Sequence, residues 1–330
     1  MRRRTRTSVL ALAVALTAAI TPGIAAADPA PTVPQATLDA GLRCSADLDG
    51  ATRTPVLLVP GTGADPKQNF DWTWRRSLAG AGIPACTIEV PRHSMGDIQV
   101  AAEYVANAIR RMHGRAGRPI AIVGHSQGGM SPRLALKYWP DTRAMVSDLI
   151  GIAPSNHGTA AVLLLKPLCS VLGCPAALWQ QSSDSRLLQA LNRGGETFPG
   201  IDYTVITTDL DEIVLPSTAG NLAAGPNVRN VRVQSICPGR LVEHLGIGLY
   251  DNVAHDLALD AITHPGPADP SRLGPGVCGR TFMPGTSQSD FVGNLLLTAA
   301  VPFLLNLVQQ TTAADRLTRE PPLKPWATAG

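Results

Sequence analysis

Gly124-His125-Ser126-Gln127-Gly128-Gly129 is the stretch on which the reading of this chain turns. The apolar run Ile120-Ala121-Ile122-Val123 leads into it as a buried strand does, and residues 130–139 lead out with helical spacing of apolar side chains. The residues between them must make a tight strand-to-helix turn. A serine at the apex of such a turn needs small residues two before and two after it, because a Cβ at either place would strike the neighbouring backbone. Gly124 and Gly128 meet that need. Ser126 then stands clear at the carboxyl end of a sheet, above a helix amino terminus that favours developing negative charge. That is the placement of a nucleophile built to attack a carbonyl. A bare Gly-x-Ser-x-Gly is common by chance, and it is the strand before and the helix after that lift this one above coincidence. Pro132 falls early in the expected helix, where a missing N–H is tolerated only near the start, so it marks the helix as beginning at the turn itself.

Working outward, Val56-Leu57-Leu58-Val59 is a short continuous apolar run that suits a strand buried on both faces. Further strands are expected at residues 86–90, 148–153, 203–207 and 230–236, the last with apolar and polar residues alternating as at a sheet edge. Residues 98–112 carry the apolar spacing of a helix. Strands alternating with helices predict an α/β fold with a mostly parallel central sheet and helices on both faces, its reactive groups on loops at the carboxyl ends of the strands.

Residues 1–27 read as a secretory signal peptide: Arg2, Arg3, Arg4 and Arg6 form a basic start, residues 9–20 an apolar middle, and Ala25-Ala26-Ala27 a small-residue cleavage site. The 28 basic and 25 acidic residues give a net charge of +3, but without those four arginines 24 basic face 25 acidic, a net charge of −1. Nothing then argues for nucleic acid as a partner, and a secreted monomer is expected. The remaining length and the 45% hydrophobic content suit one α/β domain over residues 41–319, with a flexible leader at 28–40 and a flexible tail at 320–330. Six cysteines remain after export: Cys44, Cys86, Cys169, Cys174, Cys237 and Cys278. An even number in a secreted chain predicts three disulfides, for which fifteen pairings exist; proximity along the chain favours 44 with 86, 169 with 174, and 237 with 278. No Cys-x-x-Cys or His-Glu-x-x-His spacing occurs, so no metal is expected.

A nucleophilic serine needs a base, and the base needs a carboxylate that fixes its tautomer and stabilises the imidazolium. In this class of fold the chain order is serine, acid, histidine. Asp211 follows the expected strand at 203–207, with Asp209 and Glu212 as rivals, and His244 lies in the loop after the last expected strand. His255 and His264 fall on a helix and a proline-rich loop and fit less well, His125 points the wrong way from the turn, and His93 and His157 read as loop histidines. The oxyanion hole is expected from the N–H of Gln127 and from Pro60-Gly61-Thr62-Gly63, where the Thr62 hydroxyl adds a donor. A phosphate-cradling loop is excluded, since no Gly-Lys-Ser/Thr follows.

Five blocks in order, Val56 to Gly63, Ser126 to Gly129, Leu178-Trp179-Gln180-Gln181, Asp211-Glu212-Ile213-Val214 and Glu243-His244, resemble the lipase B group of α/β-hydrolases and similar secreted actinobacterial lipases. The resemblance spans about residues 44–310. It implies the α/β-hydrolase fold, Ser126 as nucleophile, Asp211 as acid, His244 as base, Thr62 and Gln127 as oxyanion donors, the pairs Cys44 with Cys86 and Cys237 with Cys278, and no cofactor. The chain departs from the group in having Gly124-His125 where a threonine-tryptophan pair precedes the serine, Ser155 where an aspartate stands near the site, and a Cys169/Cys174 pair without counterpart.

Two apolar stretches fall outside the sheet pattern, residues 160–178 and 291–308. The resemblance makes the first a lid-like helix and the second a wall helix beside the pocket, which suits an ester or lipid substrate at an oil–water interface. The second stretch is too short and interrupted to favour a membrane span. The expected activity is carboxylester hydrolysis by a lipase or esterase acting through an acyl-enzyme on Ser126. Acyl transfer by the same residues, or a non-catalytic surface-binding protein of the same fold, are the alternatives.

Overall fold

A computed structural model describes residues 28–294 and 316–328. Seven strands form one sheet in the order β1-β3-β2-β4-β5-β6-β7: β1 (Leu42–Cys44), β2 (Val56–Val59), β3 (Ala85–Ile88), β4 (Ile120–His125), β5 (Val146–Ile152), β6 (Asp202–Thr207) and β7 (Val228–Arg232). Only β1 runs antiparallel to its neighbour. The helices are α1 (Gln35–Ala40), α2 (Trp74–Gly80), α3 (Ile98–Ala116), α4 (Gln127–Tyr138), α5 (Ala160–Leu172), α6 (Ala176–Gln180), α7 (Arg186–Asn192), α8 (Val233–Ile236), α9 (His244–Leu249), α10 (Asn252–Thr263), α11 (Gln288–Asn294) and α12 (Pro325–Thr328).

The continuous apolar strands are explained by two cores, one on each face of the sheet. Successive side chains of a strand point to opposite faces, so Leu57, Val59, Ile120, Ile122 and Leu149 pack under α3, α4 and α7. Val56, Leu58, Ala121, Val123 and Ile150 pack under α2, α9 and α10. Both sides are apolar because neither meets water. This is the α/β-hydrolase arrangement expected from the sequence, and it delivers the carboxyl ends of β2, β4, β5 and β6 to one rim.

Three disulfides join Cys44 to Cys86, Cys169 to Cys174 and Cys237 to Cys278. The first links directly opposed residues of β1 and β3. The strand expected at 230–236 ends early: β7 stops at Arg232 and the chain turns into α8, where Gln234 hydrogen-bonds back to Thr208 and Arg240.

The leader and tail expected to be flexible are instead tied down. Glu103 of α3, whose side chain is wholly buried, accepts from Thr32 N, Val33 N and Lys324 Nζ at 2.8, 2.9 and 2.7 Å. Trp326 of α12 stacks against Tyr138 and Trp139, and Glu320 accepts from the first N–H groups of α7. Proline-rich composition misleads here because a few anchors, a buried charge and a tryptophan, are enough to dock a short segment. The signal peptide expected at 1–27 and the greater part of the expected wall helix, 295–308, lie outside the described residues. Among the described residues no helix is long and apolar enough to cross a membrane.

Candidate active site

Ser126 sits between β4 and α4 with φ 55° and ψ −123°, a backbone conformation that L-residues avoid. The glycines explain how the turn closes. A Cβ on Gly124 would lie 1.9 Å from the carbonyl oxygen of Gly128, and one on Gly128 would lie 2.0 Å from that of Val59. Gln127 opens α4, so its N–H belongs to the first turn, whose donors have no partner within the helix. Pro132 is its sixth residue and withholds the bond that would otherwise reach the Gly128 carbonyl, the same oxygen that crowds Gly124.

His244 arrives from the other side as the first residue of α9. Glu243 caps that helix by accepting from Leu245 N and Gly246 N at 2.6 and 2.8 Å, and burial raises its carboxyl above the ordinary glutamate value. His244 Nδ1 lies 2.9 and 3.0 Å from the two carboxylate oxygens of Asp211. Asp211 is itself held by the N–H groups of Ile213 and Val214, 3.0 and 2.7 Å from Oδ1. Both side chains are almost wholly buried, so the pair is shielded from water. The two rivals are accounted for. Asp209 is exposed and pairs with Arg232, and Glu212 Oε2 accepts from the backbone N–H of His244 at 3.1 Å. Ser126 Oγ and His244 Nε2 have no hydrogen-bond partner among the described residues, and neither is sealed from solvent.

The remaining wall is polar. Thr62 Oγ1 donates to Gln127 Oε1 at 2.8 Å, Gln181 Nε2 donates to Thr62 Oγ1 at 2.8 Å, and Ser155 Oγ donates to Gln181 Oε1 at 2.9 Å. The Thr62 hydroxyl thus accepts from Gln181 and gives its proton to Gln127 Oε1, from which it must turn to serve another acceptor. Among the described residues no cluster of three or more His, Cys, Asp or Glu is arranged to hold a metal.

The chain is 34% identical over 247 residues to lipase B of Pseudozyma antarctica, a match that takes in 72% of this chain and 70% of the relative. The chain belongs to the lipase B family. The crystal structure of Aspergillus fumigatus lipase B superposes with a TM-score of 0.82 at 31% identity, over 94% of this chain and 75% of that one. Bacillus licheniformis lipase BlEst2 in its propeptide form shares the fold at 16% identity and TM-score 0.52, over 66% of this chain and 52% of the other. The chain matches no protein-family model. This member of the lipase B family is accordingly a carboxylester hydrolase.

Within this lipase B frame, sequence reasoning left some residues without a role. Gln181, in one of the shared blocks, bonds Thr62 directly, and Ser155, one of the departures, is linked to it only through Gln181. Asn69 carried no signal at all; it lies on the widened helical turn Lys67–Asp71 and accepts from Gly61 N at 3.0 Å. A second serine–histidine–aspartate line also exists, Ser77 Oγ to His255 Nε2 at 2.6 Å and His255 Nδ1 to Asp256 at 2.9 Å. It lacks the elbow. Ser77 lies buried in α2 with its N–H bonded to the Thr73 carbonyl and His255 against Trp74, so this line is a packing feature. His264 caps α10 beside Asp260, and His157 bonds Glu196 and the Ala219 carbonyl, the carboxylate raising its pKa.

Proposed function

We propose that this lipase B homologue is a secreted serine ester hydrolase that forms an acyl-enzyme on Ser126. The observation that carries the reading is a buried Asp211 carboxylate on Nδ1 of His244, which leaves Nε2 open, together with Ser126 strained at the apex of a strand-to-helix turn. His244 Nε2 takes the proton of Ser126 as its oxygen attacks the ester carbonyl, and returns it to the departing alcohol. Water then attacks the acyl-serine with His244 again as base. Asp211 holds the Nδ1–H tautomer and stabilises the imidazolium. The N–H of Gln127 and the Thr62 hydroxyl, turned from Gln127 Oε1, stabilise the oxyanion.

The substrate class follows from α5, which leaves Leu164 and Val171 81% and 78% exposed and Leu168 and Leu172 more than half exposed. Such a surface suits an ester presented in a lipid phase. Export is supported by the basic and apolar pattern of residues 1–27 and by the three disulfides. Labelling by a serine-reactive phosphonate, abolished in Ser126→Ala, tests the mechanism; unchanged labelling of that variant overturns it. Turnover of emulsified triglyceride against a ladder of p-nitrophenyl esters tests the substrate class.

A further inference from the structure

His125, next to the serine, is almost wholly buried, and its two ring nitrogens make specific contacts. Nε2 lies 3.0 Å from the backbone carbonyl oxygen of His244, and Nδ1 lies 3.2 Å from Asn69 Nδ2. Asn69 Oδ1 in turn accepts from Gly61 N, in the loop that carries Thr62. One assignment of protons satisfies every member: Gly61 N–H to Asn69 oxygen, Asn69 amide N–H to His125 Nδ1, and His125 Nε2–H to the His244 carbonyl. The ring is pressed flat on α9, where a Cβ on Gly248 would lie 2.2 Å from His125 Cδ2. Burial lowers its pKa to about 3, so it is the neutral ring that bridges the two loops.

We propose that Asn69 and His125 form a positioning strut that sets the distance between the His244 loop and the oxyanion loop on either side of Ser126. The proposal rests on the roles given above to His244 and Thr62 and deepens them: the three loops that must converge are cross-linked behind the site by side chains that never touch substrate. The span of the strut fixes the depth of the His244 backbone, and a misplacement of about 1 Å at a reacting group costs on the order of a hundredfold in rate.

Two sets of variants test it. In His125→Gln the terminal amide nitrogen takes the place of Nε2 and still reaches the His244 carbonyl, whereas in His125→Asn it takes the place of Nδ1 and does not. His125→Gln is expected to keep kcat within about threefold and His125→Asn to lose roughly 10- to 100-fold in kcat with KM little changed, at matched thermal stability. Equal kcat in the two overturns the strut. The second set is Asn69→Asp, which keeps the acceptor for Gly61 but places a carboxylate on His125 Nδ1, where it draws a proton. The titratable groups that otherwise face His125 are His244 and Asp211. Protonated on both nitrogens, His125 still donates to the His244 carbonyl; once it deprotonates, Nε2 turns a lone pair on that oxygen. The variant is therefore expected to lose kcat on the alkaline side of a profile in which the parent enzyme is flat, while a uniform loss at every pH overturns the proposal. The phosphonate experiment keeps the two readings apart: labelling that survives in Ser126→Ala removes the mechanism, and equal kcat in the His125 pair with labelling abolished in Ser126→Ala removes the strut alone.

Discussion

Asp211 touches Nδ1 of His244 with both carboxylate oxygens inside a dry pocket, while Asp209, two residues away, spends its charge on an exposed arginine. The two substitutions should therefore separate widely. Asp211→Ala is expected to lower kcat by roughly 10³- to 10⁴-fold with esterase assays on a soluble substrate, and Asp209→Ala to change it less than about threefold. Equal effects would mean that the acid lies elsewhere. The hydroxyl of Thr62 gives a second test. Thr62→Ser keeps a donor and should retain most of the rate, whereas Thr62→Val should lose roughly 10- to 1000-fold in kcat with little change in KM.

Among the elements, β5 carries an anomaly. Asp148 is a buried carboxyl on this strand, and burial, with Asp202 adding to it, raises its pKa from 3.8 to about 7 against a hydrogen bond from Ser147. A carboxyl whose folded value lies above its unfolded value binds more protons in the native state, so its contribution to stability falls as pH rises from about 4 to about 7. Asp148→Asn should match the parent in thermal unfolding near pH 4 and exceed it by several degrees at pH 8. Helix α5 poses a different question, because its exposed side chains, Leu164 and Val171 foremost, gain nothing from folding while they face water. Replacing Leu164 and Val171 together by serine is expected to lower turnover of emulsified triglyceride severalfold and to leave hydrolysis of a dissolved short-chain ester unchanged. Parallel losses on both substrates would remove the interfacial role.

At the scale of the whole molecule, the described chain is closed on itself by cross-links and by clamps on residues 32–33 and 324. The Cys44–Cys86 and Cys237–Cys278 bonds span 42 and 41 residues, and each contributes about 4 kcal/mol in the chain-entropy account. Reduction should lower the unfolding temperature by many degrees in a calorimetric scan, and a scan unaffected by reductant would show these bonds to be dispensable. Glu103 ties residues 32–33 and 324 to α3, so both ends of the described chain rest on one carboxylate.

What could be read along the chain was whatever depends on neighbours in sequence. Gly124, Ser126 and Gly128 announce the turn because its crowding is local, and the two-faced apolar strands announce a sheet covered on both sides because each position carries its own record of burial. The order serine, acid, histidine narrowed the site to a handful of residues, yet Asp209, Asp211 and Glu212 are alike in the linear text. Only the approach of α9 to the end of β6 distinguishes the carboxylate on Nδ1 from the one on the backbone N–H. Folding likewise decided the docking of residues 32–33 and 320–326, the early end of β7, and the path from Gly61 through Asn69 and His125 to His244. Those contacts join residues as much as 292 positions apart, as Lys324 and Thr32 are. No periodicity encodes a hydrogen bond between segments that meet only once the sheet has set their places.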